Sequence, residues 1–102
     1  QDMARYKQAL NDCQEALRQE GESLDSLYFT ARAHSFLNQP DEALPLTKKA
    51  MELAPEDPRH LVEHVWALHQ LGRSFEARRK ALNALDQFGN DPDLLRFLDE
   101  TR

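Results

Sequence analysis

The run His60-Leu61-Val62-Glu63-His64 has the spacing of a metal site. On a helix, two imidazoles four residues apart stand on one face and could share a zinc ion, with the intervening carboxylate as base for a metal-activated water. The chemistry would be zinc-dependent hydrolysis by His60, Glu63 and His64. Against it, the same short segment uses Leu61, Val65 and Leu68 for packing, no enclosing cleft is foreseeable, and little chain remains to supply a third ligand. The structural reading is therefore preferred: no catalytic residue, no metal, no cofactor, and not an enzyme. His34 and Cys13 are read the same way, as a helix-face imidazole and a lone thiol at packing positions of a core.

Composition narrows the partners. A chain of 102 residues is one domain with a modest core. Its charged fraction of 30% and net charge of −5 describe an acidic protein without the basic stripe of a nucleic-acid binder. A single cysteine rules out an intrachain disulfide and leaves the redox compartment open. No apolar run is long enough to span a membrane, so direct insertion of this segment is not expected. The first residues lack the basic and apolar segments of a signal peptide, which places any targeting information outside this chain.

The elements that would position these side chains are helices in series. Apolar residues at helical spacing predict an amphipathic helix over 3–19, ended by Gly21, and a second from Ser23 as cap to about Leu37. Pro40 with Asp41 and Glu42 opens a third, with a local bend expected at Pro45. Asp57-Pro58 opens a fourth, Gly72 ends it, Ser74 caps a fifth, and Asp91-Pro92 opens a sixth. Connections of a few residues make neighbours antiparallel. Alanines recur on a 34-residue period, at positions 9, 43 and 77 and at 16, 50 and 84. Such a period marks stacked units, each too small to bury its own apolar face, and points to a binding scaffold. The fold class is all-α, an α-solenoid of antiparallel helix pairs with about six helices.

Residues 26–57, SLYFTARAHSFLNQPDEALPLTKKAMELAPED, resemble one complete tetratricopeptide repeat, and 59–90 keep its frame. The resemblance divides the single array 1–102 into a second helix at 3–19, full repeats at 24–56 and 58–89, and the first helix of another at 92–101. It implies a concave groove lined by the first helix of each repeat and holding a partner protein or peptide. Carried over position by position, the groove comprises Tyr28, Phe29, Arg32, Phe36, Arg59, Glu63, Trp66 and His69, with Asp25, Ser35, Val62 and Gln70 between them and Arg96 and Phe97 beyond. Rigid aromatics beside arginines suit interface anchors. The other reading, that Tyr28, Phe29 and Trp66 pack between hairpins, stays open. Lys48, Lys49, Arg78, Arg79 and Lys80 read as a solvated convex face. The lysine and asparagine with which some members clamp acidic chaperone tails are absent: the corresponding pairs are Tyr28 with Arg32 and Val62 with Trp66.

Helices rich in Ala, Leu, Gln and Arg are also similar to the periplasmic repeat regions of bacterial envelope proteins, including Pel-type porins that export exopolysaccharide. That resemblance implies a recruiting segment in an envelope or exopolysaccharide-secretion assembly and favours the periplasm over the cytoplasm. The alternatives are a structural spacer and a cytosolic assembly scaffold. Read in phase, the chain is expected to be an excised middle of a longer array. Tyr6, Leu10 and Leu17 would then be partly uncovered and could drive self-association through the terminal helices.

Overall fold

The computed structural model describes residues 2–20 and 23–102, the side chains of residues 2, 3, 17 and 20 excepted. Six α-helices follow one another: α1 (Asp2–Glu20), α2 (Leu24–Phe36), α3 (Pro40–Leu53), α4 (Pro58–Gln70), α5 (Ser74–Phe88) and α6 (Pro92–Glu100). No strand occurs among the described residues.

The starts follow cap chemistry. Ser23 Oγ accepts from the Ser26 amide at 3.1 Å, Asp57 Oδ1 from Arg59 N at 3.0 Å and Asp91 Oδ1 from Asp93 N at 2.9 Å, each satisfying an amide that the helix itself cannot. Ser74 departs from expectation. It is the first helical residue behind Arg73, and its hydroxyl lies 2.9 Å from His69 Nδ1 instead of capping. The α2–α3 and α4–α5 turns share a device one period apart, with Asn38 at φ 60° and Gly72 at φ 83°. Both take the left-handed conformation that closes a helix, which glycine and asparagine adopt most readily. Gly21 lies outside the described residues. α3 runs through Pro45 unbroken.

Each helix packs on its sequence neighbours, and α4 also contacts α2 on one flank and α6 on the other, so the three share one face of the stack. Alanine makes this closeness possible: Ala31, Ala43 and Ala67 meet where α2, α3 and α4 converge, and Ala77, Ala81 and Ala84 lie against Leu61, Val65, Leu94 and Phe97 in the main core. Ala9, in phase with Ala43 and Ala77, is exposed, because α1 packs on α2 alone among the described helices. Leu10 departs from expectation: it is buried with Ala33 and Leu37 rather than uncovered. Tyr6 is half-buried against the same cluster, and Leu17 lies outside the described side chains. His34 is buried as expected, its Nδ1 2.8 Å from Gln39 Oε1, whereas Cys13 is only half-buried.

Candidate groove on the shared face of α2, α4 and α6

Helices α2, α4 and α6 line a cavity of about 350 Å³ that opens on their common face. Six of the eight residues carried over by resemblance line it: Tyr28, Arg32 and Phe36 from α2, and Arg59, Glu63 and Trp66 from α4. Helical spacing brings this about, since 28, 32 and 36 form one stripe along α2, and 59, 63 and 66 form one along α4. Phe29 and His69 stand apart from the lining. Phe29 is largely exposed and meets the edge of Tyr28, and His69 turns toward Ser74. Phe97, expected to continue the groove, is fully buried instead, because α6 directs Leu94 and Phe97 into the core beneath α4. The sixth helix contributes Asp93 and Arg96 to the lining. Asp93 lies outside the positions that the resemblance supplies, although a residue two places after the Asp91 cap, in the first turn of α6, reads as a solvent-facing carboxylate.

Aromatic rings and guanidinium groups alternate along one wall. Tyr6 of α1 stacks on Phe36 at 4.5 Å between centroids, and the Arg32 guanidinium lies 5.5 Å from the Phe36 centroid while donating to Tyr28 Oη at 3.1 Å. The Arg59 guanidinium then lies 4.9 Å over the Tyr28 ring. Such contacts contribute on the order of 1 kcal/mol each and, more usefully here, fix the directions of long side chains. Trp66 settles a question that spacing left open by doing both: one part of it lines the cavity, while its ring meets the Phe97 edge at 4.8 Å.

Charge is distributed unevenly around the cavity. Asp57 receives Arg59 Nη2 at 3.0 Å, and this hydrogen bonding holds its carboxyl below the usual range. Arg96 is engaged by Glu100 at 2.8 Å. Arg32 has no carboxylate within ion-pair distance among the described residues. Burial pushes Glu63 above its ordinary value; Asp93 adds to the rise and Arg32 opposes it. Asp57→Ala should therefore cost about 1 kcal/mol through the lost cap and should also release Arg59 from its station over Tyr28. Denaturant unfolding checks the first effect, and the ring-proton chemical shifts of Tyr28 check the second.

The His60–His64 motif is dispersed by the fold. Glu63 faces the groove, whereas His64 lines a second cavity of about 500 Å³ between α3, α4 and α5. There Nδ1 lies 3.0 Å from Thr47 Oγ1, and Nε2 faces Lys80 at 3.5 Å. His60 is buried beside Asp57, 3.6 Å from its carboxylate, with Nε2 lacking a hydrogen-bond partner. A base aimed into one cavity and an imidazole into another cannot serve a single metal-bound water. No three histidine, cysteine, aspartate or glutamate side chains among the described residues cluster as metal ligands. Two charged residues assigned to the solvated face are also partly enclosed: Arg78 donates to Leu98 O and Thr101 Oγ1, both at 2.8 Å, and Lys80 lies against His64.

Residues 2–70 match the family model described as Tetratricopeptide repeat. The chain belongs to the tetratricopeptide repeat family. Superkiller complex protein 3 of Mus musculus is 43% identical to it over 51 residues, which is 50% of this chain and 3% of that protein. The chain thus spans a small part of this curated relative. No solved structure matches it. As tetratricopeptide repeats, the paired helices belong to an architecture that generally mediates protein–protein interaction. No described helix is long and apolar enough to cross a membrane.

Proposed function

We propose that the groove of α2, α4 and α6 binds a segment of a partner protein, with Tyr28, Arg32, Phe36, Arg59, Glu63 and Trp66 as its contact residues and Phe29 and His69 at its margin. The observation that carries this reading is the wall of alternating rings and guanidinium groups around one open cavity. Arg32 is oriented by two aromatic neighbours and has no carboxylate within ion-pair distance among the described residues, so a partner carboxylate or backbone carbonyl can take its remaining donors without breaking such a pair. The mouse relative is named as a protein of a complex, which agrees with a recruiting role. An envelope or exopolysaccharide-secretion setting, with the periplasm as compartment, is the finer form of this proposal. It rests on the character of the helices alone, and the same groove would serve a cytosolic scaffold. Self-association through α1 is a further part of this proposal, supported by the exposure of Ala9 on that helix.

Trp66 is the only tryptophan, so its emission reports occupancy of the cavity directly. Peptides selected from a random display library on the intact chain should shift that emission on binding. Their affinity should fall about tenfold or more in Tyr28→Ala and in Arg32→Glu. A spacer would instead yield peptides, if any, whose binding ignores both substitutions.

A further inference from the structure

The opposite side of the stack carries an apolar patch where the repeat places charge. Phe75 is 83% exposed and Leu82, two turns along α5, is 53% exposed. With Arg78, Arg79 and Asn83 they line a shallow cavity of about 280 Å³. The position of Phe75 has a local cause: Ser74 takes the inward-facing place next to His69, and a ring one residue later in a helix is rotated into water.

This exposure belongs to the architecture and does not depend on what packs beyond α6. One period earlier, the counterparts of Phe75, Arg79, Leu82 and Asn83 are Asp41, Pro45, Lys48 and Lys49. All four are exposed on α3, although a complete helix pair follows it. Where α3 presents an acid and two lysines to solvent, α5 presents a phenylalanine, a leucine and an asparagine. Large apolar side chains gathered on a solvent-facing helix side mark an interaction surface more often than a packing accident. The charges lining the cavity, Arg78 and Arg79, select the partner, whereas Asp86, one turn beyond Leu82, lies outside the lining. Arg78 is held by α6, but Arg79, between the two apolar residues, makes no hydrogen bond or ion pair among the described residues. A guanidinium flanked by apolar surface favours a carboxylate presented beside an apolar stripe.

We propose that the exposed face of α5 is a second docking surface, on which Phe75 and Leu82 receive the apolar stripe of an acidic amphipathic helix and Arg79 pairs with a carboxylate along its border. The chain then joins two partners, one in the groove and one on the reverse side, since α5 contributes nothing to the groove lining.

The probe is a stapled helical peptide with leucines on one face and glutamates bordering them, titrated against the whole chain by fluorescence anisotropy. Binding should weaken about tenfold in Phe75→Asp and in Arg79→Glu, and remain unchanged in Tyr28→Ala. The Arg79→Glu protein should regain affinity for the same peptide with lysines in place of glutamates. Because Phe75 and Arg79 are exposed, these variants should keep wild-type unfolding midpoints. Absence of binding, binding indifferent to Phe75→Asp, or loss in Tyr28→Ala would overturn the proposal. So would self-association of the chain abolished by Phe75→Asp, which would make a second copy the occupant. Failure of the groove reading leaves this result untouched, because the two surfaces share no residue.

Discussion

Replacing Phe97 by alanine should lower the unfolding free energy by about 3–5 kcal/mol, the usual cost of emptying a fully buried aromatic site. Phe97 is 0% exposed and lies with Leu94, Ala77 and Ala81 in the main core, edge-on to Trp66. The cost should be severe because α6 has only nine residues and is too short to persist without its two buried anchors, Leu94 and Phe97. Domains of this size are stable by roughly 5–15 kcal/mol, so about a fifth or more of the total is at stake. Urea unfolding measures the loss, and a red shift of Trp66 emission should accompany it as water reaches the ring. Phe97→Leu, which keeps most of the volume, should cost about 1.5 kcal/mol or less. Equal midpoints for wild type and Phe97→Ala would show that α6 is not anchored in this way.

Acidification should destabilise the chain well before its carboxylates titrate. Burial, with Lys80 adding to it, lowers the His64 imidazole to about 4, and burial also lowers His60. An unfolded histidine titrates near pH 6.5. Between these values the unfolded state binds a proton that the folded state refuses, so stability falls as pH drops below about 6.5 and the decline flattens near 4. His64 should account for a loss on the order of 2 kcal/mol across this window. Glu63 opposes part of it, since a carboxyl raised in the folded state takes up its proton there first. Asp57 and Glu76, held low by Arg59 and Arg73, add a further loss only at lower pH. His64→Leu should flatten the slope without orphaning Thr47, whose hydroxyl still donates to Leu44 O at 2.9 Å. Unfolding midpoints of wild type and variant at about pH 7 and pH 5 test this. A wild-type midpoint that does not move between them would refute it.

Much of the architecture is legible in the residue types alone. Asp57-Pro58, Asp91-Pro92 and Ser23 start helices because their oxygens satisfy amides within three residues, and Asn38 and Gly72 end them by local conformation. These are short-range effects, so the residue types at those positions determine them. The alanine period likewise implied close helix packing, and it is met at Ala43, Ala50, Ala77 and Ala84 but not at Ala9, which lacks a second neighbour. The six groove positions come from the family resemblance, carried over position by position; they fall together because a stripe of period 3.6 stays on one face wherever the helix lies.

What spacing could not decide is which of two faces a borderline residue chooses. Phe97 and His69 each lie within a turn of the groove stripe, and the approach of α6 beneath α4 decided that Phe97 enters the core while Trp66 spans core and cavity. His60, Glu63 and His64 adjoin in sequence but divide among a buried niche and two cavities, because helices on three sides of α4 claim different sectors of its surface. The patch on α5 is the clearest case: a one-residue shift from Ser74 to Phe75 turns a ring by about 100°, and only the packed neighbours show that this direction is water. Helix type and cap are set by interactions a few residues long; side-chain environment is set by helices whose mutual rotation no local spacing encodes.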